Sequence, residues 1–295
     1  MSKVILGGGL IGLLAREILG AEWTIIPNGS SRFYGNLPPL ADYHIVITPK
    51  VADVLPVSTL NPIKFTRAFS YGGELIFNNT IWASMYMKKV FGEDDARKIL
   101  FRIEETVSRT SAVEVFQGLM LKYREEILAN HTKFGKIVSI DGDSITTTNS
   151  KIGFNKAIST IPLDALMGYM NIDHNLESRD IYIYHVECAF NLEGADQVLV
   201  VDEYIDFYKV NAVDENNFVF FSFNEILDTD TYFRAFLGNC KVINSTKLSG
   251  AFPIGNPPDL KWLGEKHNIY PVGSCAEWDD FVDISTSVMR LLKVT

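Results

Sequence analysis

Six residues close to the N-terminus constrain the fold of this chain more than any other feature. Lys3-Val4-Ile5-Leu6 is a short, β-prone apolar run, Gly7-Gly8-Gly9-Leu10-Ile11-Gly12 follows it, and Leu13 to Leu19 has helical character. The order strand, tight turn, helix is the setting in which G-x-G-x-x-G spacing acquires a physical meaning. Gly7 permits the turn, Gly9 lets a pyrophosphate approach the backbone at the helix N-terminus, and Gly12 lets the helix close on the strand. Trp23-Thr24-Ile25-Ile26 then reads as a second strand. The chain should therefore open as the βαβ unit of an α/β fold with a dinucleotide-binding turn. A glycine-rich turn that binds nothing is the alternative. In such sites an acidic residue at the end of the second strand takes the ribose hydroxyls; here, 28 − 9 = 19 residues after Gly9, stands Asn28, which keeps an acceptor and lacks the charge.

The rest of the chain is large enough to build a full domain around that unit. It has 295 residues, 47% hydrophobic and 21% charged, which suits one large domain or two interleaved ones and excludes a disordered chain. A formal charge of −9 opposes generic attraction to nucleic acid or anionic lipid. Three well-separated cysteines, Cys188, Cys240 and Cys275, form no CxxC and indicate neither a disulfide framework nor a zinc site. The five histidines show no metal-ligand spacing. With no basic n-region and no apolar run of membrane length, the expectation is a cytoplasmic protein without a membrane segment.

Past Asn28 the pattern changes. Residues 30–66 hold five prolines and only short apolar pieces, which predicts an irregular segment with a brief strand at His44–Ile47. Apolar spacing then predicts two helices, Asp94–Arg109 and one that carries Val113, Phe116, Leu119, Met120, Tyr123 and Ile127, with Ser111 to Glu114 as a capping box. Phe65 to Gly73, with Arg67 and Tyr71, reads as an aromatic and basic loop that is packed or lines a substrate mouth. A β-hairpin is expected over Lys136–Ile140 and Ser144–Thr148 around Asp141-Gly142-Asp143, then a strand at Lys156–Ile161 ending at Pro162. Strand-like runs at 181–186, 197–201, 206–210 and 217–223 predict an antiparallel sheet.

At the far end, Asn268 to Gly273 is a strand that ends in glycine. It leads through Ser274-Cys275-Ala276-Glu277-Trp278 to a helix over Phe281–Leu292. This is a second strand, glycine, helix unit: either a second helix N-terminus directed at the same elongated anion, or a terminal strand and helix that close the sheet.

Together, these pieces resemble the flavin-binding fold shared by the amine oxidases and UDP-galactopyranose mutase. Val4–Ile26 resembles the family's N-terminal βαβ, Lys136–Pro162 its strand, hairpin and TxP segment, and Tyr270–Leu292 its C-terminal flavin motif; Gly273 to Trp278 looks like the mutase-type glycine-to-tryptophan stretch. The resemblance implies a Rossmann-like FAD-binding domain, a parallel sheet plus β-hairpin, assembled from residues 1–66, 130–170 and 265–295. An inserted helical lobe and an antiparallel substrate domain would occupy 67–129 and 171–264. It also implies FAD as cofactor. Gly7, Gly9, Leu10, Ile11 and Gly12 would surround the pyrophosphate, Ile137 would give backbone contacts to adenine, Gly273 and Ser274 would face the pyrophosphate and ribitol, and Asp283 and Ile284 at the start of the last helix complete the set. Asn28 falls on the family's ribose-binding Glu and Gly35 on the second Gly of its Gly-Gly-Asn; the sequence departs at that Glu, at the first Gly, and at Ser274, where Asp, Glu or Arg is usual.

Candidate chemistry beside the flavin is less sharply marked. Trp278 would form a cavity wall or a core aromatic. Phe207-Tyr208-Lys209-Val210 resembles the family's F/Y-Y-R-I strand with Lys209 in the Arg position, where a cation would hold an anionic substrate; an alternating strand with one solvated lysine is the plainer reading. The acidic Asp279, Asp280 and Asp283 suit a helix N-terminus. The leading expectation is an FAD-dependent oxidoreductase of amine-oxidase type. Its rivals are a flavin-dependent isomerase of nucleotide sugars without net redox, an NAD(P)-dependent reductase, and a non-catalytic flavoprotein. The substrate would be a small amine or a nucleotide sugar, and the short chain leaves room for a macromolecular one.

Overall fold

The computed structural model describes residues 2–28, 62–78, 80–92, 103–108, 112–255, 258–277 and 284–294. Its elements begin with β1 (Ser2–Leu6), α1 (Leu10–Leu19) and β2 (Trp23–Ile26), followed by β3 (Pro62–Tyr71), β4 (Glu74–Ile76), α2 (Thr80–Phe91), β5 (Glu104–Ser108) and α3 (Ala112–Phe134). Next come β6 (Ile137–Asp141), β7 (Ser144–Thr147), β8 (Lys151–Ser159), α4 (Leu163–Tyr169), β9 (Glu177–Cys188), β10 (Gln197–Val200), β11 (Phe207–Ala212) and β12 (Asn217–Ser222). The chain closes with α5 (Thr229–Leu237), β13 (Cys240–Ile254), α6 (Lys261–His267), β14 (Ile269–Pro271), α7 (Ser274–Glu277) and α8 (Ile284–Val294).

Two sheets carry the fold. In the first, β2, β1, β8, β7 and β6 lie in that order, and β14 adds to β8. β1 runs parallel to both β2 and β8, and β14 parallel to β8. Val4, Ile5 and Leu6 are wholly buried, as a central parallel strand covered on both faces requires. On one face Leu13, Leu14 and Leu19 of α1 pack with Leu119, Tyr123 and Ile127 of α3 and Val288 and Leu291 of α8. On the other, Leu163, Leu166 and Met167 of α4 meet Ile137 and Ile145 of the hairpin, Phe154 of β8 and Leu263 of α6. Polar clasps fix α3 to α1: Arg16 Nε and an Nη donate to both oxygens of Glu126 at 3.0 Å, and Lys122 and Tyr123 donate to Glu17.

The second sheet has the order β13, β9, β12, β11, β10, β3, β4, with β5 on β3. α5 covers one face through Phe233, and α2 the other through Ala83, Tyr86 and Val90. The hairpin, the antiparallel sheet and the terminal strand and helix follow the sequence expectation closely.

Four expectations change. Residues 104–108 of the predicted helix 94–109 form β5, antiparallel to the first half of β3; the four-residue spacing of Ile103 and Val107 fits a period of two as well as one of 3.6, and a distant strand decides between them. Arg67 and Tyr71 lie in β3 rather than in a loop, parallel to β10 with Arg67 opposite Gln197. The second of the two helices expected in a lobe, α3, packs against α1 on the first sheet, and α2, which apolar spacing did not predict, lies on the second. Residues 62–66, counted from sequence with the cofactor domain, belong to β3 in the second sheet. The strand at His44–Ile47 and the capping residue Ser111 lie outside the described residues. Among the described residues no helix is long and apolar enough to cross a membrane.

Candidate dinucleotide site

The glycine turn is built as its spacing requires. Gly7 has φ +105°, a conformation L side chains rarely adopt, and its N–H donates to Ile26 O at 2.9 Å, which ties the turn to the end of β2. Gly9 is the N-cap of α1 with extended backbone, and neither a side-chain cap nor an acidic residue in the first turn satisfies the helix end. The first N–H groups of the helix, those of Leu10, Ile11 and Gly12, thus lie at a positive dipole end with no carboxylate of their own element. Among the described residues a methyl group at Gly9 would meet nothing within 4 Å, whereas one at Gly12 would stand 2.2 Å from Gly7 O. Gly12 is required by packing; Gly9 borders open space.

Two distant segments complete the turn. Thr160 N and Oγ1 both donate to Leu6 O at 2.9 Å, and Thr160 Oγ1 stands 2.5 Å from where a Cβ on Gly7 would be. The TxP segment is thereby fastened to the end of β1, and Pro162 opens α4. From the C-terminal side, Val272 N donates to Ser159 O, and Gly273, at φ +108°, lies against the Ile11 side chain. Glu277 secures this second turn: its Oε1 accepts from Gly273 N at 3.0 Å, its N–H donates to Gly273 O, and it pairs with Arg290 of α8. Gly273's own N–H is thus engaged by Glu277, which lies within the glycine-to-tryptophan stretch.

Asn28 follows β2 beside the turn, and its Nδ2 donates to Tyr169 Oη at 3.0 Å. Tyr169, from the last residue of α4, was not anticipated; a side chain 141 positions away leaves no local signal. The structure therefore brings Gly7, Gly9, Leu10, Ile11, Gly12, Asn28 and Gly273 to the carboxyl ends of β1 and β2, with Ser274 next in sequence, opening α7. Ile137 is not among them: it is buried in β6, the edge strand three places from β1. Gly35, Trp278 and Asp283 lie outside the described residues, and Ile284 opens α8.

The candidate substrate residues sit on the second sheet. A register shift between Phe207 and Lys209 puts Tyr208 and Lys209 on the same face, because Lys209 pairs with Phe221 and Leu199, both of the cluster that holds Tyr208. Tyr208 is 4% exposed and stacks on Phe223 at 4.3 Å. The Lys209 ammonium stands 4.1 Å from the centre of the Phe221 ring. The same face reaches α7, since Tyr208 meets Phe252 and Cys275 Sγ donates to Ala251 O at 3.3 Å. Arg67 donates to Gln197 Oε1 at 2.9 Å across the β3–β10 rung, which gives it a place in the sheet. Among the described residues no group of histidine, cysteine or carboxylate side chains could hold a metal ion.

A cavity of about 430 Å³ runs along β14, lined in part by Lys261, Tyr270 and Arg290; it shares none of the glycine-turn residues.

No protein-family model and no curated protein sequence matches the chain. Solved structures do match in fold. Reduced UDP-galactopyranose mutase aligns with a TM-score of 0.64 at 12% identity, over 99% of this chain and 92% of the other. An oxidoreductase from Methanosarcina mazei gives 0.58 at 12% identity, over 100% and 99%. A flavoprotein/dehydrogenase from Cytophaga hutchinsonii gives 0.53 at 12% identity, over 99% and 75%. The fold is thus shared with these solved structures.

Proposed function

We propose that the chain is an FAD-dependent oxidoreductase. One observation carries the reading: three segments far apart in sequence converge on an uncapped helix N-terminus whose N-cap glycine faces open space. The residues fit a dinucleotide. Leu10, Ile11 and Gly12 offer backbone N–H groups to a pyrophosphate, and a side chain at Gly9 would enter the space that such a group needs. Asn28 would accept from the adenosine ribose, and Ser274, with Gly273 and Ile284, would border the ribitol side. When bound, the flavin supplies acceptance of a hydride at N5, and dioxygen regenerates it; the chain binds, orients and excludes water.

Within that class we place oxidation at an amine-bearing carbon first, on the three-part resemblance to the amine oxidases. A second reading, isomerisation of an anionic nucleotide sugar, draws support from the strand irregularity that sets Lys209 beside Tyr208 on the face reaching α7. Absorption spectroscopy tests the shared premise: the purified protein, or the protein after incubation with FAD, should show the two visible bands of bound oxidised flavin. Failure to take up FAD would overturn both readings. Peroxide release across an amine panel, set against nucleotide-sugar isomerisation with reduced flavin, then separates them.

A further inference from the structure

Cys188 and Cys240 are 240 − 188 = 52 positions apart in the sequence; the structure removes that separation. They are direct partners in the antiparallel pairing of β9 with β13. The N–H of Cys188 donates to Asn216 O at 2.8 Å, on the β12 side. Because a strand residue directs its N–H and C=O to the same side, the Cys188–Cys240 rung is a non-hydrogen-bonded one. Opposed Cα atoms in such a rung stand ~4.5 Å apart with side chains on one face, inside the ~4.4–6.8 Å range of disulfides. Both side chains enter the same apolar cluster, at 4% and 7% exposure, among Phe218, Leu192 and Phe233. Cys275 stands apart in α7, where its Sγ donates to Ala251 O.

We propose that Cys188 and Cys240 form an oxidation site: a peroxide converts the two thiols into an intrachain disulfide that fastens β13, an edge strand of the second sheet, to β9. One sulfur attacks a peroxide oxygen and becomes a sulfenic acid as the first water leaves. The second sulfur then displaces the hydroxyl, the S–S bond forms, and a second water departs with the remaining proton. Two thiols lose two electrons and two protons, and one peroxide becomes two waters.

The surroundings set the character of the site. Burial pushes the Cys188 thiol up to about 11, with the Cys240 thiol adding to the effect, and burial raises Cys240 as well. Little thiolate is present at neutral pH, so the bridge forms slowly, during openings of the sheet edge, and acts as a lasting staple rather than a fast sensor. The closed loop spans β10, β11, β12 and α5, and confining it in the unfolded chain raises the thermal midpoint by about 7 °C.

The test uses the full chain and hydrogen peroxide. After incubation, quenching and denaturation, alkylation should label one of the three thiols, Cys275, and non-reducing peptide mapping should show Cys188 joined to Cys240. Dithiothreitol should restore three labelled thiols and the original midpoint. C188S and C240S should each show no bridge and no rise. Three labelled thiols after treatment, a bridge through Cys275, or over-oxidation of Cys188 and Cys240 without a bridge would overturn the proposal. The peptide map of the wild-type chain decides it even where a serine variant does not fold.

Discussion

Replacing Gly12 by alanine tests the glycine turn at its tightest point. The new Cβ would stand 2.2 Å from Gly7 O, 3.0 Å from Gly7 C and 3.2 Å from Thr160 Oγ1, where ordinary contact begins at 3.4 Å. The shortfall to the carbonyl is 3.4 − 2.2 = 1.2 Å, and the obstacle is backbone, so α1 must withdraw from β1 by ~1 Å. Overpacking of this kind costs up to ~3 kcal/mol, offset by ~1 kcal/mol for alanine's better helix propensity, which leaves ~2 kcal/mol. At ~2.1 cal/mol/K per residue, a chain of 295 residues has a melting entropy of ~0.6 kcal/mol/K, so the midpoint should fall by ~3 °C. The helix N–H groups retreat with the helix. Loss of one charge-assisted hydrogen bond, ~2 kcal/mol, should weaken FAD binding ~30-fold.

Gly9→Ser is the control. Among the described residues a Cβ at this position meets no atom within 4 Å, the backbone is extended, and serine is a favoured N-cap. The midpoint should therefore hold or rise by ~1 °C while FAD binding falls, because the serine hydroxyl takes the helix N–H groups that a phosphate would use. Differential scanning calorimetry and fluorescence titration with FAD read both variants. A Gly12→Ala midpoint within 1 °C of wild type would refute the packing argument. A Gly9→Ser protein that binds FAD like wild type would place the pyrophosphate elsewhere.

Tyr169→Phe should remove the partner of the Asn28 amide and cost ~1 kcal/mol of FAD affinity, about a fivefold rise in the dissociation constant; an unchanged constant would free Asn28 of any need for orientation. Lys89, half-buried on α2, donates to Asp202 O, Ile205 O and Phe207 O at 2.5, 2.9 and 3.1 Å; burial brings it down to about 8, against the opposing pull of Asp202, Asp206 and Glu203. Its folded value lies below the ordinary 10.5, so between about pH 8 and 10.5 the unfolded chain holds more protons and this group's contribution to stability rises with pH. Wild-type stability minus that of Lys89→Met, measured by urea unfolding, should climb across that window; a flat difference would contradict the assignment.

The local features were legible because they are properties of neighbouring residues. The first strand, the glycine turn and α1 follow from six consecutive positions, and the hairpin at Asp141 to Asp143 from a two-residue period around a turn. Gly7 and Gly12 take the turn and packing roles that their spacing predicts, because a tight strand-to-helix turn restricts its own backbone whatever surrounds it. The segment from Glu104 to Ser108 was misread because spacing alone does not distinguish two strand repeats from one helical turn; pairing with β3, about 40 residues away, settled it.

What the sequence determined by itself, then, is the α/β beginning of the chain, the demand for glycine at its turn, and the antiparallel run in its second half. The tertiary structure alone decided which distant groups meet: Tyr169 at Asn28, Glu277 at Gly273, Lys209 and Tyr208 on one face, and Cys188 opposite Cys240. Helical and strand periods act over a few residues and are written in order along the chain. Strand register and the packing of helices on sheets are set by the burial of whole faces, which no short stretch of sequence specifies.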